Sequence, residues 1–220
     1  MTVKNKTHRL TLMAMFAALA YIVMLVGRFP ISSVDFLKYD PKDVILVICG
    51  FILGPMPALL VTFVVSVIEM LTVSSTGLIG LIMNVLSSAG FACTAAFVYK
   101  KRHSLRGAAV GLVLGALVMT ALMLLWNYFI TPYYMGMPRE AVAAMLVPVF
   151  LPFNLIKSAL NAAIAMLIYK PVSRALRQIG LTEPTGGKAP EKKNVMGAML
   201  IAALVLVSCI FIVLIMRGII

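Results

Sequence analysis

Three polar side chains in the second half of the chain share one face of a predicted helix. Asn154, Lys157 and Asn161 are spaced i, i+3 and i+7 within an apolar segment at residues 147–169, and this spacing places side chains on the same side of an α-helix. A lysine ammonium offers only hydrogen-bond donors, whereas an asparagine amide offers donors and an acceptor. The combination suits a flat heterocycle that carries carbonyl oxygens and an imide N–H.

The elements that carry these side chains belong in a membrane. Of the 220 residues, 62% are hydrophobic and 12% are charged, whereas soluble domains average roughly 45–50% and 25%. A helix of about 20 apolar residues spans a bilayer. Apolar segments fall at residues 10–27, 44–53, 57–72, 77–98, 107–130, 147–169 and 195–216. The sequence therefore predicts an all-α, multi-span membrane helix bundle that contacts the lipid bilayer.

Other polar residues interrupt these segments, namely Asn84, Ser87, Asn127 and Glu69. Polar groups inside a membrane span are costly and usually face the bundle interior or a cavity. With Lys157 they could converge on a pocket that opens to the outside. The alternative is that Lys157 extends to the membrane interface and the asparagines only hold helices together. Spacing alone leaves both interpretations open.

A loop between the first two segments is a second candidate for ligand contact. Its residues Phe36, Leu37, Lys38, Tyr39 and Asp40 form an extended stretch that is able to lie over the mouth of a bundle. The alternative is a plain interfacial loop in which Tyr39 is an aromatic anchor.

Positive charge indicates the topology. Of the 19 basic residues, 13 fall in three clusters: Lys4, Lys6, Arg9; Lys100, Lys101, Arg102, Arg106; Lys170, Arg174, Arg177, Lys188, Lys192, Lys193. These clusters share the cytoplasmic side only if segments 44–53 and 57–72 both cross the membrane. A ten-residue helix rises only about 15 Å, however, so segment 44–53 could instead be re-entrant. The opposite loops contain Arg28, Lys38, Lys42, Arg139, Asp35, Asp40, Asp43 and Glu140. The net charge of +12 is thus a topology signal, and we expect no nucleic-acid partner.

We expect three parts along the chain. Residues 1–178 form a six-helix substrate-binding membrane domain, residues 179–194 a cytoplasmic linker, and residues 195–217 an extra C-terminal transmembrane helix. On the first helix, Ala14 and Ala18 form a small-residue face that allows another helix to approach closely. That helix could belong to a partner or to the same bundle.

Enzymatic and metal-binding motifs are missing from the sequence. It contains neither a phosphate-binding G-x-x-x-x-G-K-[ST] loop nor an H-E-x-x-H motif,. His8 and His103 lie in basic clusters, and three cysteines inside apolar segments suggest packing and neither a disulfide nor a metal site,. We expect no catalytic residue and no metal.

Six stretches carry a resemblance to a known family: residues 36–43, 50–55, 69–71, 76–84, 126–133 and 152–157. In combination they resemble the S-components, or substrate-capture subunits, of bacterial energy-coupling-factor (ECF) vitamin transporters, and most closely the riboflavin-specific type. The resemblance covers about residues 10–178. The seventh segment and its linker depart from the six-helix plan of the family.

The resemblance implies a function and assigns roles to residues. Riboflavin would be the transported substrate, with no cofactor, in an outward-facing pocket that contains Asn127, Asn154 and Lys157, with Asn84 as a further candidate. The loop of residues 36–40 would close over it. Ala14 and Ala18 would dock onto a transmembrane coupling subunit that works with two ATPases, in a multi-pass protein of the bacterial cell membrane.

Two alternatives remain at this point. The ligand could be FMN, a flavin analogue or another vitamin, and the basic residues on the outer side would suit the phosphate of FMN. The chain could also be a structural membrane protein that binds no ligand. For riboflavin, we expect a flavin carbonyl or N1 to provide the acceptor that a buried Lys157 requires.

Overall fold

The computed structural model describes residues 6–31, 37–178 and 192–216. Its helices and strands are, in chain order, α1 (Lys6–Gly27), β1 (Phe29–Pro30), β2 (Lys38–Tyr39), α2 (Lys42–Leu53), α3 (Pro55–Thr72), α4 (Gly77–Lys101), α5 (Leu105–Phe129), α6 (Thr131–Met135), α7 (Arg139–Met145), a π-helical turn (Leu146–Phe150), α8 (Leu151–Gln178) and α9 (Lys192–Met216). The predicted all-α class is confirmed. Phe36 and most of the predicted linker, residues 179–191, lie outside the described residues.

Within the described ranges, six helical stretches are long and apolar enough to cross a membrane: Lys6–Gly27, Pro55–Thr72, Gly77–Lys101, Leu105–Phe129, Arg139–Val172 and Met196–Ile215. Their length satisfies the roughly 20 residues that a bilayer requires. The last stretch is the extra C-terminal helix that the sequence predicts.

Helix α2 is the short element at the centre of the bundle. Its 12 residues rise about 18 Å, less than the hydrocarbon thickness of a bilayer. It packs against α1, α3, α4 and α8, and nearly all of its residues are buried. That it crosses the membrane stays a prediction.

The break between α2 and α3 follows from local sequence. Gly54 has φ of +96°, which favours glycine over any residue with a Cβ. Pro55, the first residue of α3, lacks the N–H that would continue the hydrogen bonds of α2. The chain therefore turns back within one residue and places α3 beside α2.

Close packing of α4 against α5 forms one wall of the bundle. A Cβ at Gly111 would lie 2.7 Å from the carbonyl oxygen of Ala95, and one at Gly115 would lie 2.6 Å from that of Phe91. Small residues are common where membrane helices approach this closely. This contact fixes the height of Asn84 and Ser87 on α4 relative to Asn127 on α5.

Helix α9 packs along α8. Ala202, Cys209 and Val213 are its buried residues, and the last two join a cluster that contains Leu37 and Tyr39. The opposite face of α9 exposes large apolar side chains, as expected for a helix that contacts lipid,.

Candidate substrate-binding cleft

Two short strands hold the loop that follows α1. Phe29 pairs with Tyr39, and Pro30 pairs with Lys38, in an antiparallel arrangement. Leu37 and Tyr39 are buried while Lys38 is exposed, so side chains alternate between inside and outside as in any strand. Residues 37–40 therefore pack onto the bundle, and that residues 36–40 close over a ligand stays a prediction.

A cleft beneath this loop brings together residues from five parts of the chain. It is lined by Arg28, Leu37, Lys38, Asp40, Met83, Asn84, Ser87, Met123, Asn127, Phe153, Asn154 and Lys157. It contains about 480 Å³ of space between protein atoms, part of which is continuous with solvent. The cleft is narrow, so its walls have to separate before a ring system enters.

Most of the residues predicted as ligand contacts line this cleft. Seven of the nine do so: Leu37, Lys38, Asp40, Asn84, Asn127, Asn154 and Lys157. Tyr39 does not, and Phe36 is outside the described residues.

The two buried asparagines that line the cleft differ in how many hydrogen bonds their amides already make. Asn127 Nδ2 donates to the carbonyl oxygen of Met123 at 2.7 Å, and Asn127 Oδ1 accepts from Thr131 Oγ1 at 2.8 Å. Asn154 Nδ2 donates to the carbonyl oxygen of Phe150 at 2.7 Å, but its Oδ1 accepts no hydrogen bond from the described residues. Asn154 thus offers the cleft a free acceptor and a second N–H.

Lys157 is buried with only 8% of its surface exposed, so it does not extend to the membrane interface. Its Nζ lies 3.7 Å from Asp43 Oδ2, which is an ion-pair distance and too long for a hydrogen bond. Asp43 therefore supplies a counter-charge for Lys157 within the protein, and the expectation that a flavin carbonyl or N1 accepts a hydrogen bond from Lys157 stays a prediction. The hydrogen-bond donors of the ammonium remain available to the cleft.

Asp43 is in turn held by two neutral groups. Ser88 Oγ donates to Asp43 Oδ1 at 2.5 Å, and Asn161 Nδ2 donates to Asp43 Oδ2 at 3.3 Å. These bonds orient the carboxylate toward Lys157. The residue was expected in an outer loop, but it is the second residue of α2 and is fully buried.

A buried ion-pair network lies next to the cleft, and the sequence interpretation missed it. Lys42 Nζ donates to Asp40 Oδ2 and Glu69 Oε2, both at 2.5 Å. Arg28 Nη2 lies 3.0 Å from Glu69 Oε1. Lys42 was expected in an outer loop, yet only 1% of it is exposed. An acid in a membrane segment normally has a partner, so Glu69 was the signal for this network.

Burial and neighbouring charges shift the pKa of the Asp40 carboxyl in opposite directions. Asp40 lies between β2 and α2. Burial alone would raise the pKa of the Asp40 carboxyl, but the ammonium groups of Lys42 and Lys157 outweigh it and hold that pKa below its ordinary value,. Asp40 is therefore a carboxylate at neutral pH. It completes the charge balance around Lys42.

Tyr39 and Asn161 fasten the loop to α8. Tyr39 Oη donates to Asn161 Oδ1 at 2.8 Å, and Asn161 Nδ2 also approaches the carbonyl oxygen of Asp40 at 3.3 Å. The alternative of Tyr39 as an interfacial anchor is wrong, because the side chain is buried. Asn161 shares a helix face with Asn154 and Lys157 but bonds to the loop and does not line the cleft.

The small-residue face of α1 is separate from the cleft. Ala14 and Ala18 are exposed, whereas Leu12 and Phe16 on the other side of the helix are buried in the core. Both alanines remain exposed in the presence of α9, as far as the described residues show. The face is thus free to meet another protein.

Sequence comparison places the chain among transport proteins. Residues 8–169 match the family described as "ECF transporter, substrate-specific component". The chain is 32% identical over 174 residues to the riboflavin transporter FmnP of Bacillus subtilis (strain 168), with 74% of this chain and 91% of the relative covered. It is 28% identical over 182 residues to the riboflavin transporter RibU of Staphylococcus aureus (strain TCH60), with 80% and 95% covered.

Structural comparison agrees. A solved structure described as "Structure and mechanism of the S component of a bacterial ECF transporter" matches with a TM-score of 0.68 and 28% sequence identity. The match covers 79% of this chain and 99% of the solved chain.

Proposed function

Because this chain belongs to the family of ECF transporter substrate-specific components, we propose that it captures riboflavin outside a bacterial cell and delivers it to an ATP-driven uptake complex. It is a multi-pass bacterial membrane protein, and its relatives are transporter components and not enzymes. The observation that carries the proposal is the set of incompletely bonded polar groups in the cleft beneath the loop. The riboflavin transporters named above support the choice of ligand.

The polar groups match the pyrimidine edge of a flavin, which alternates carbonyl acceptors with one imide N–H. The free Oδ1 of Asn154 accepts from the imide N–H, while Lys157 and the second N–H of Asn127 donate to the adjoining carbonyls. Each bond to a charged group contributes about 1.5–3 kcal/mol. The loop residues Lys38 and Asp40 border the same space.

The apolar groups match the rest of the ring system. Leu37, Met83, Met123 and Phe153 line the cleft together with the amides, and ligand sites typically combine many apolar atoms with a few placed polar groups. Phe36 is proposed as a further loop contact by resemblance alone. Entry requires the loop and the helices to separate, since the cleft is narrow.

The spectrum of the purified protein tests this proposal. Protein extracted from cells in mild detergent should carry bound flavin and show its yellow absorption and its fluorescence after release by denaturation. A structural membrane protein without a ligand would be colourless. A colourless preparation that also fails to take up added riboflavin would overturn the proposal.

Energy for transport has to come from partners, since the sequence contains no nucleotide-binding loop. We propose that the exposed Ala14 and Ala18 dock onto a transmembrane coupling subunit that acts with two ATPases. Replacing both alanines by Trp should abolish riboflavin uptake by cells and leave binding by the purified protein unchanged. The matched control is Trp at Val113 and Leu117, which are exposed on α5 at the same four-residue spacing. Uptake that survives the double change on α1 would contradict the docking proposal.

FMN is the second candidate, and one observation favours it. Arg28 and Lys38 line the cleft and also a neighbouring open cavity, where a phosphate could lie. The other two basic residues that suggested FMN are used elsewhere, since Lys42 is buried in ion pairs and the Arg139 guanidinium lies 5.7 Å from the Tyr128 ring. Competition between FMN and riboflavin for the purified protein separates the two candidates.

We also propose that residues 1–178 are the substrate-binding unit and that residues 195–217 are an added helix. In support, all twelve residues that line the cleft precede Gln178, and the family match ends at residue 169.

A further inference from the structure

Three buried hydroxyls in the described part of the chain have no hydrogen-bond partner: those of Ser66, Ser87 and Thr120. Hydroxyl side chains in a helix commonly donate to the carbonyl four residues earlier. Thr62 does so to Ala58 at 2.8 Å. An unpartnered buried hydroxyl is destabilising, so each of the three requires an explanation.

Ser87 differs from the other two because it lines the cleft. It lies on α4 with only 4% of its surface exposed, one turn after Asn84, which lines the same cleft. Ser66 on α3 and Thr120 on α5 do not line it. Ser87 therefore borders the space that a ligand would occupy, and its hydroxyl is without a partner among the described residues.

A second residue that lines the cleft, Arg28, also has a buried polar atom without a hydrogen-bond partner among the described residues. Arg28 Nε is buried without a hydrogen-bond partner among residues 6–31, 37–178 and 192–216, although Arg28 Nη2 pairs with Glu69 and Nη1 lies 3.9 Å from Met24 Sδ. Arg28 follows the end of α1, and Ser87 is on α4. Two residues that line the cleft, on separate elements, thus each carry a polar atom without a hydrogen-bond partner among the described residues.

We infer that Ser87, together with Arg28 Nε, binds the hydroxyls of the ribityl chain of riboflavin. The inference rests on the proposed function and extends it to the sugar-alcohol end of the ligand. Asn127, Asn154 and Lys157 are sufficient for the pyrimidine edge, and the remainder of the ring system is largely apolar. The ribityl chain has several hydroxyls that both donate and accept, which matches a serine hydroxyl and a guanidinium N–H.

Comparing two ligands isolates this contact. Lumiflavin has the ring system of riboflavin with a methyl group in place of the ribityl chain. For the Ser87→Ala variant of the full chain, the Kd of riboflavin should rise about fivefold, which corresponds to one ordinary hydrogen bond, and the Kd of lumiflavin should not change. Both are measured by fluorescence quenching with purified protein in detergent.

Ser66→Ala is the matched control, since it removes an equally unpartnered buried hydroxyl away from the cleft. It should change neither Kd. Ser87→Cys keeps the size of the side chain with a weaker donor and should raise the Kd of riboflavin by less than Ser87→Ala does. This variant also serves if Ser87→Ala does not fold.

The outcomes separate this inference from the proposed function. An equal rise in Kd for both ligands, or no rise for either, would overturn the role of Ser87. Wild-type protein that binds riboflavin and lumiflavin equally well would also overturn it and leave the proposed function standing. Wild-type protein that binds neither ligand would overturn the proposed function itself.

Discussion

Two neighbouring groups of buried polar side chains differ in how completely they are bonded. In the network around Lys42, the charged groups of Arg28, Asp40 and Glu69 each lie within 3.0 Å of an opposite charge. In the cleft, the Oδ1 of Asn154 and the hydroxyl of Ser87 have no such partner among the described residues. We interpret the paired charges as structural and the unpartnered polar groups that line the cleft as contacts for a ligand. Arg28 belongs to both groups, since its Nη2 pairs with Glu69 while its Nε has no hydrogen-bond partner among the described residues.

Lys157 lies at the boundary between the two groups. Its ammonium has a counter-ion in Asp43 at 3.7 Å but no hydrogen bond to it. The protein therefore keeps the charge of Lys157 compensated when no ligand is bound. A ligand that accepts from Lys157 then gains a bond without having to neutralise a bare buried charge.

The largest expected effect tests the structural side of this comparison. In Lys42→Met, Asp40 and Glu69 lose their shared cation, and breaking a buried ion pair lowers the free energy of unfolding by about 3–5 kcal/mol. Thermal unfolding in detergent should show a clearly lower Tm and reduced yield. Lys38→Met is the control, since Lys38 is exposed and should change the free energy of unfolding by less than about 0.5 kcal/mol. Equal Tm values for the two variants would contradict the structural role.

The second-largest expected effect is on riboflavin binding by a variant of Lys157, the residue between the two groups. Lys157→Ala should weaken riboflavin binding about tenfold or more, because a charge-assisted hydrogen bond is lost. Fluorescence titration measures the Kd. Ser158→Ala is a suitable control, since Ser158 Oγ bonds the carbonyl of Leu155 within its own helix. An unchanged Kd in Lys157→Ala would remove this residue from the site.

The smallest expected effect is a difference in riboflavin affinity between variants of the two cleft asparagines, Asn154 and Asn127. Asn154→Ala should raise the Kd of riboflavin about fivefold because its free acceptor is lost. Asn127→Ala should raise it less, since Asn127 Oδ1 is already used by Thr131. The reverse order in the same titration would show that the bonding state of the free protein does not predict ligand contacts.

Much of the fold follows from local sequence. Apolar length predicts the long helices, and Gly54 followed by Pro55 predicts the break between α2 and α3. Polar side chains are energetically costly inside a membrane span, so the sequence alone identifies Asn127, Asn154 and Lys157 as candidate site residues. These features depend on residues that are close together in the chain.

The ion pairs could not be predicted in the same way, because they join distant residues. Lys42 and Glu69 are 27 residues apart on different helices, and Tyr39 and Asn161 are 122 apart. Helical spacing places Asn161 on the face of Lys157, but the depth of the cleft depends on where the loop packs. Only the tertiary structure shows that Asn161 binds the loop.

The central claim is that riboflavin completes the hydrogen bonding of the cleft. Titration of ligand-free protein with riboflavin, followed by flavin fluorescence, tests it most directly. We predict saturable quenching with one riboflavin per chain, and much weaker quenching for a variant that combines Lys157→Ala with Asn154→Ala. A wild-type titration that does not saturate, or a double variant that binds as tightly as wild type, would contradict the claim.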